Sequence, residues 1–470
     1  MDRLIAPERR VRTPGREAAS SSGRDASARR VRARRRVHAT RPGTTGRAAL
    51  VALIAWLTAA PGAVADPPAA TVAVEALVAE ALAHNPEILA ARHEQEAALH
   101  RAGAAGSLED PTLDFGVVNA PLPLSLRRDD MTMKMLGLTQ KLPYPGKRGL
   151  RQAVAAADSA SMDHAVEETA NRVRRDLRVA YEELRLAAAS ERATSANRDL
   201  LRQLVSVAEA QYALGRGAQS DVLRAQSEVV RMQQELLRIG SDRAARVGDL
   251  ERLLGRAAPG DGILPTPATL LPLAADAETL TRRAADRRPQ LRALDALVEK
   301  GDREIELARR EYYPDFEVRL GYGQRDRTLG GTPRDDMVTM TVAVNLPIWR
   351  KSRLEPRVAE ARAMRAQASS LADAQRLETR TGLAQQLAAE RATRESALLY
   401  RSTLLPQVHA TVESALRAYQ LGRVDFLTLL DAQSREYSAA LAEAQAISAH
   451  NRAIAEIDFL TGATTDGALP

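Results

Sequence analysis

The sequence contains no cysteine, which excludes disulfide bonds, thiolate metal sites and acylation at an N-terminal cysteine. Aromatic residues make up only 3% of its 470 residues. Alanine, leucine, arginine and glutamate dominate instead, a bias that favours long helices. Proline is absent between Pro145 and Pro259. The apolar run at residues 48–60 is shorter than the about 20 residues that a membrane-spanning helix needs.

The net charge of +7 is concentrated at the N-terminus. Residues 1–65 hold 14 arginines against four acidic residues, so the rest of the chain carries net negative charge. The Ala63-Val64-Ala65 sequence before Asp66 has the form of a signal-peptidase site. We interpret residues 47–65 as a secretory signal and residues 1–46 as an extended n-region or a misplaced start. An Arg-rich arm for nucleic acid is the alternative, and we expect an exported protein with no nucleic-acid partner.

A stretch at residues 212–228 recurs at residues 419–435. Eight residues are identical at an offset of 207: Tyr212, Leu214, Gly215, Arg216, Leu223, Ala225, Gln226 and Ser227 recur as Tyr419, Leu421, Gly422, Arg423, Leu430, Ala432, Gln433 and Ser434. The Leu-Gly-Arg step predicts the end of a helix, because glycine accepts the left-handed conformation. Polar residues then restart a helix: Ser220 and Asp221 in one copy and Asp425 in the other. Each copy is therefore predicted to be the tip of a long helical hairpin in a duplicated chain.

Two β-hairpins are predicted between the helices, at about residues 111–142 and 314–347, where the apolar period changes from 3.6 to 2. In the first, Leu113, Phe115 and Val117 form one apolar side, and we predict Met131, Met133 and Met135 as the apolar side of the next strand. The second repeat alternates in the same way through Phe316, Val318, Leu320, Tyr322, Val338, Met340, Val342 and Val344.

Strands that are apolar on one face suit a half-buried sheet or an outer-membrane barrel with a polar lumen. Aromatic residues cluster where strands meet helices, as in an interfacial girdle: Tyr144, Tyr312, Tyr313 and Trp349. This favours the barrel. Four strands per chain cannot close one, so two or three copies would contribute eight or twelve strands.

The expected organisation follows from these elements. Residues 1–65 form the leader, 66–258 the first repeat with its tip at 212–220, and 259–274 a linker. Residues 275–462 form the second repeat with its tip at 419–426, and 463–470 a C-terminal tail. Pro406 is predicted to bend the second long helix before its tip.

Few residues suggest site chemistry. His93, Glu96 and His100 share one helix face, either as metal ligands or as a solvated surface. Met131, Met133 and Met135 could form a ladder for Cu(I) or Ag(I), or could face lipid or core. No catalytic constellation, phosphate loop or cofactor motif is found, so we expect neither an enzyme nor a bound cofactor.

Two repeats of helix, β-hairpin, long helix, Leu-Gly-Arg tip and return helix resemble the TolC-like outer membrane efflux family over residues 70–462. Leu404-Leu405-Pro406, ahead of the second tip, strengthens the match. The resemblance implies a homotrimer in the outer membrane lipid, with a 12-stranded β-barrel joined to a periplasmic α-helical barrel. It also implies a periplasmic adaptor protein and an inner-membrane pump. The segment at residues 142–148 resembles the heavy-metal cation branch.

The resemblance also assigns roles to residues. It implies that the tips meet the adaptor through Leu214, Gly215, Arg216, Leu421, Gly422 and Arg423. Tyr419 matches the family's gate tyrosine, Asp221 the aspartate to which it bonds, and Asp431 an acidic residue that constricts the pore. A second acidic position and the gate arginine are Thr428 and Val424 here, so part of the gate is missing. The alternative is that Asp221 and Asp431 only favour helix starts.

A periplasmic coiled-coil adaptor or scaffold, without a membrane barrel, is the alternative function. Adaptors also carry helical hairpins. They lack two amphipathic β-hairpins placed symmetrically in a duplicated unit, so the duct is favoured.

Overall fold

The computed structural model describes residues 71–256 and 263–462. The predicted leader, the cleavage site before Asp66, residues 259–262 of the linker and the 463–470 tail lie outside these ranges.

Within the described residues, the chain alternates helices with two β-hairpins. The helices are α1 (Val74–His84), α2 (Pro86–Ala105), α3 (Lys147–Ala213), α4 (Gln219–Leu254), α5 (Ala277–Arg287), α6 (Pro289–Arg310), α7 (Glu355–Leu399), α8 (Leu405–Gln420) and α9 (Phe426–Thr461). The strands are β1 (Thr112–Val118), β2 (Met133–Leu142), β3 (Phe316–Gln324) and β4 (Met337–Val344). Of the helices in the described ranges, not one is both long enough and apolar enough to cross a membrane.

The first long helix, α3, runs for 67 residues, about 100 Å at 1.5 Å per residue. It begins after Gly146, whose φ of 89° turns the chain from the sheet into the helix. No proline interrupts it, and α4 returns antiparallel along it. Leu177, Leu184 and Leu250 are fully buried in the core between α1, α2, α3 and α4.

The second long helix is interrupted. A π-helical turn at Tyr400–Leu404 separates α7 from α8, directly ahead of Pro406. Proline lacks the amide hydrogen that a continuous α-helix needs, and a wider turn accommodates the loss. A π-helical turn therefore lies where a bend was predicted, and the backbone stays helical on both sides of it, at Leu399 and Leu405. The bend itself stays a prediction.

The two repeats pack against each other through α3 and α9. The Asn171 side chain donates to the carbonyl oxygen of Phe459 at 2.9 Å, and the Arg178 guanidinium lies 2.8 Å from the Asp458 carboxylate. A buried apolar cluster between α5, α7 and α9 extends the core into the second repeat. The mainly helical fold with two repeats of helices and β-hairpins is confirmed.

All four strands form one antiparallel sheet in the order β1-β2-β3-β4. The hairpins of the two repeats meet where β2 pairs with β3 over nine residue pairs, from Lys134–Gln324 to Leu142–Phe316. Within the described residues, β1 and β4 each leave one edge unpaired.

Candidate functional site

The two hairpin tips close with the same hydrogen bonds. At the first, the amide of Gly215 donates to the carbonyl of Tyr212 and that of Arg216 to Gln211, both at 2.9 Å. At the second, Gly422 donates to Tyr419 and Arg423 to Ala418, again at 2.9 Å. The glycines have φ values of 70° and 71°, which side chains rarely adopt. The repeated Leu-Gly-Arg step thus forms the same helix end twice.

Both tips present an apolar and a basic side chain to solvent. Leu214 and Leu421 are 66% and 68% exposed, and Arg216 and Arg423 are exposed beside them. The tips touch through the Gln211 side chain, which donates to the carbonyl of Gln420 at 3.3 Å. One end of the described chain therefore carries a paired surface suited to bind another protein.

The restart after the tip differs between the copies. Asp425 caps α9 by accepting from the amide of Thr428 at 2.9 Å, and the Thr428 side chain, with its amide, lowers the Asp425 pKa. In the first copy α4 begins at Gln219, after Ala218, which provides no side-chain cap. The predicted restart residues Ser220 and Asp221 are the second and third residues of α4, so they lie in its first turn, where Asp221 supplies a negative charge.

The repeated tyrosines occupy different environments. Tyr212 is 50% exposed, whereas Tyr419 is only 6% exposed and packs edge-on against Phe426 with ring centroids 5.4 Å apart. Tyr419 belongs to a cluster that joins α3, α4, α8 and α9 near the tips. Identical residues in the repeats therefore do not have identical roles.

The predicted hydrogen bond between Tyr419 and Asp221 is not formed. The Tyr419 hydroxyl is buried and has no hydrogen-bond partner among residues 71–256 and 263–462. Burial raises the pKa of Tyr419, and the nearby negative charge of Asp221 raises it further. The two groups are close enough to interact through charge, but packing on Phe426 holds the ring instead.

Asp431 lies on the exposed side of α9, and Arg435 Nε lies 2.9 Å from its carboxylate, one helical turn later. It borders a crevice of about 190 Å³ with Asn197, Glu228 and Arg231. The charge of Asp431 is therefore partly offset within its own helix. A helix-start residue would lie in the first turn of α9, and Asp431 lies beyond that turn.

The sheet has one continuous apolar face. Its register places Leu113, Leu138, Leu320 and Met340 in one row across the four strands, and Phe115, Leu136, Tyr322 and Val338 in the next. All eight side chains are exposed. An exposed apolar surface of this kind marks contact with another protein or a membrane.

The opposite face is polar. Thr139 Oγ1 lies 3.4 Å from the Asp114 carboxylate and accepts from Arg319 Nε at 3.0 Å. Met133 and Met135 lie on this face, because side chains alternate and their register partners share it. The prediction that the methionines form the apolar side is therefore wrong, and Met131 precedes the strand altogether. Leu136 and Leu138 supply the apolar side of β2 instead.

A polar junction joins the sheet to the helices. Lys147 Nζ is buried and donates to the carbonyl of Tyr313 and to the Asp315 carboxylate, both at 2.8 Å. Tyr144 stacks on Tyr313 with ring centroids 4.7 Å apart. Burial raises the Asp315 pKa, but the hydrogen bonds from Lys147 and Tyr144 outweigh it and leave the pKa below its usual range. Lys147, in the segment at residues 142–148, therefore fixes the start of α3 to the start of β3. Sequence reasoning missed Asp315 because its partner is 168 residues away.

The helix face of His93, Glu96 and His100, for which the sequence left a metal site or a solvated surface open, is exposed. His93 and Glu96 form an exposed pair at 3.5 Å, and His100 is exposed on the same helix. Over the described ranges, no group of three or more His, Asp or Glu residues is placed to hold a metal ion.

The described residues form long helical hairpins with paired tips at one end. At the other end they form a sheet with one exposed apolar face and one polar face. This combination is typical of channel proteins that are anchored in a membrane. The sequence model of the family described as Outer membrane efflux protein matches residues 77–256 and 280–463, so the chain belongs to that family. It is a non-enzymatic, TolC-like efflux channel of the outer membrane that extends into the periplasm. The alternative of an adaptor or scaffold without a membrane part is therefore wrong.

Solved structures of low sequence identity share the fold. CusC is 16% identical with a TM-score of 0.71, covering 83% of this chain and 92% of that one. The outer membrane protein VceC of Vibrio cholerae is 19% identical with a TM-score of 0.69, covering 83% and 96%. The CmeC channel of Campylobacter jejuni is 14% identical with a TM-score of 0.70, covering 83% and 85%. No curated protein sequence matches the chain.

Proposed function

We propose that the protein is the trimeric exit duct of a tripartite efflux system. Three chains would join β4 of one copy to β1 of the next, closing a 12-stranded barrel. The sheet is the main support for this proposal. The side chains in its apolar rows are exposed, its opposite face is polar, and both of its outer edges are unpaired within the described residues. A strand edge left open in lipid would leave backbone groups without hydrogen bonds, so assembly is required.

The assembly partners follow from the two ends of the molecule. The exposed Leu214 and Leu421, each beside an arginine, suit docking of a periplasmic adaptor protein that links the duct to an inner-membrane pump. The sheet end is suited to outer membrane lipid, with Trp349 exposed just beyond β4.

A gate near the tips is the second part of the proposal, with Tyr419, Asp221 and Asp431 as its residues. Because the Tyr419 ring is held by packing on Phe426, the closed state would depend on the buried tip cluster rather than on a hydroxyl bond. Three copies of Asp431 around one axis would repel one another, and each Arg435 would reduce that repulsion.

The substrate class is proposed as heavy-metal cations, on the likeness of residues 142–148 to that branch. A strain lacking this gene and the same strain carrying it are compared for growth on graded copper, silver, zinc and organic antibiotics. Protection against metals alone supports the proposal. Protection against organic compounds alone contradicts the substrate class but leaves the duct intact.

Assembly is tested separately in isolated membranes. The protein should fractionate with outer membranes and run as a trimer in mild detergent. A cysteine at Asp114 in β1, combined in turn with one at Thr339, Thr341 or Ala343 on the same face of β4, should cross-link between chains in at least one combination. Cysteines at Asp114 and Arg376, exposed on α7, serve as the control. A stable detergent-free monomer would refute the barrel.

The gate is tested by single-channel conductance in a planar bilayer. Tyr419→Ala should open the resting trimer, whereas Tyr419→Phe should leave it closed, because the hydroxyl has no partner. Asp431→Ala should reduce cation preference. Equal conductance of the Ala and Phe variants would contradict a packing latch, and unchanged selectivity would remove Asp431 from the pore.

A further inference from the structure

Methionines gather at the sheet. Five of the nine in the chain lie in the strands or just beside them: Met131, Met133, Met135, Met337 and Met340. Met135, Gly323 and Met337 form one row across β2, β3 and β4, so the two methionines share the polar face with a glycine between them. Met133 lies two residues from Met135 and therefore on the same face.

The glycines of β3 leave a hollow that the methionine side chains enter. The sulfur atoms of Met133 and Met135 lie 2.7 and 3.0 Å from the point where a Cβ on Gly323 would sit. The terminal methyl of Met135 lies 3.0 Å from the equivalent point at Gly321. The sulfur atoms of both methionines therefore lie beside Gly323, in the same hollow.

This hollow is open to solvent on one side. Met133 and Met135 are half-buried, while Met337 is 40% exposed and lies across Gly323 from Met135. The same face carries Asp114 and Thr139, so it is wetted rather than covered by lipid. An ion on this face can approach the sulfurs without entering the core.

Thioether sulfur is a soft, uncharged ligand that selects monovalent soft cations over hard ones such as Mg²⁺ or Ca²⁺. Because the chain has no cysteine, methionine is its only sulfur ligand. We propose that Met133, Met135 and Met337 form a binding site for Cu(I) or Ag(I), one per chain. The site rests on the proposed function to the extent that the polar face lines the duct, where uncharged ligands would hold a passing cation reversibly.

The test measures silver binding by the whole mature protein in mild detergent. The purified protein is titrated with silver nitrate in a chloride-free buffer by calorimetry. The parent should bind one Ag(I) per chain, and Met133→Leu with Met135→Leu should weaken the affinity at least tenfold, because leucine keeps the apolar bulk without the sulfur. Met340→Leu, in the same sheet but on the opposite face, is the matched control and should bind as the parent does.

Equal binding by the parent and the double variant, or no saturable binding by the parent, would overturn the site. X-ray absorption at the silver edge of the loaded parent needs no variant and should show sulfur neighbours. Only nitrogen or oxygen neighbours would place the ion on histidine or carboxylate instead. A trimer that binds no silver would contradict this site but not the duct. A monomer that binds silver would contradict the trimeric duct but not the site.

Discussion

The two repeats use the same plan but place their long helices in different surroundings. In the first, α3 is continuous and packs against α2, α4, α6 and α9, so it lies at the centre of the described chain. In the second, α7 packs mainly on α6 and α9 and leaves apolar side chains such as Leu371 and Leu377 exposed. The duplicated helix is internal in one copy and peripheral in the other.

The tips repeat this contrast at the level of single residues. Tyr212 is exposed and its counterpart Tyr419 is buried. The break at Tyr400–Leu404 has no counterpart in α3, and it separates the tip-proximal α8 from the rest of the second long helix. The second long helix thus differs from the first in backbone geometry as well as in the packing of its tip.

The largest effect is expected at the buried tyrosine. Tyr419→Ala removes a ring from a packed cluster and should lower the free energy of unfolding by about 3–5 kcal/mol. Tyr212→Ala, the matched change in the first repeat, should stay within about 0.5 kcal/mol because that ring is half exposed. Denaturant melts of the detergent-solubilised protein, followed by circular dichroism, measure both. Similar losses in the two variants would show that the repeats are equivalent after all.

The helix tips and the two-repeat plan were predictable because glycine, proline and the apolar period act locally. The environments of Tyr212 and Tyr419 were not predicted, although one difference is visible in the sequence. Phe426, which packs on Tyr419, is Gln219 at the equivalent position of the first repeat. The face of β2 was also beyond local reasoning. Met133, Met135, Leu136 and Leu138 are apolar at both parities, so period 2 does not define a face, and the pairing of Leu138 with Leu113 decides it.

The gate residues show the same limit. The cap at Asp425 was predictable from its spacing to Thr428, three residues away. The missing bond between Tyr419 and Asp221 was not, because these residues are 198 positions apart in sequence and the bond depends on how the two tips pack. The roles of Asp221, Asp431 and Tyr419 in gating stay predictions.

The next largest effect is expected at the two glycines that end equivalent helices in the two repeats. Gly255 and Gly462 end α4 and α9 with φ values of 72° and 60°, and a Cβ on either would lie 2.7 Å from a carbonyl oxygen, of His84 or of Arg287. The left-handed conformation alone costs a side chain about 1–2 kcal/mol, and the clash adds to it. Gly255→Ala and Gly462→Ala should therefore destabilise the protein by similar amounts. Gly240→Ala, in open space within α4, should not destabilise it. Thermal melts compare all three, and a large difference between the first two would break the equivalence of the repeats.

A smaller effect should separate the helix starts. Asp425→Ala removes a cap and should cost about 1 kcal/mol, because one amide at the start of α9 loses its acceptor. Ser220→Ala, in the uncapped first copy, should be close to neutral. Hydrogen exchange of the first amides of α4 and α9 gives a local measurement. Faster exchange after Ser220→Ala would mean that Ser220 does cap α4 in solution.

The smallest effect concerns a contact found only in the second repeat. His409 Nδ1 on α8 lies 2.6 Å from the Glu436 carboxylate on α9, whereas the equivalent positions in the first repeat are Arg202 and Val229. The hydrogen bond and charge of Glu436, with a further contribution from Glu413, raise the pKa of His409 above its usual 6.5.

A raised pKa in the folded protein means that the pair of His409 and Glu436 stabilises the fold fully below about pH 6.5. This contribution is lost as pH rises through the pKa of His409 in the folded protein. Glu436→Gln should therefore lower the melting temperature more at pH 6 than at pH 9, by a small amount that salt reduces, because His409 is exposed. Glu443→Gln removes the nearby pair of Arg401 and Glu443, which are 2.8 Å apart and include no histidine. Its effect should be the same at both pH values, and a pH-independent loss in Glu436→Gln as well would show that His409 is not the titrating group.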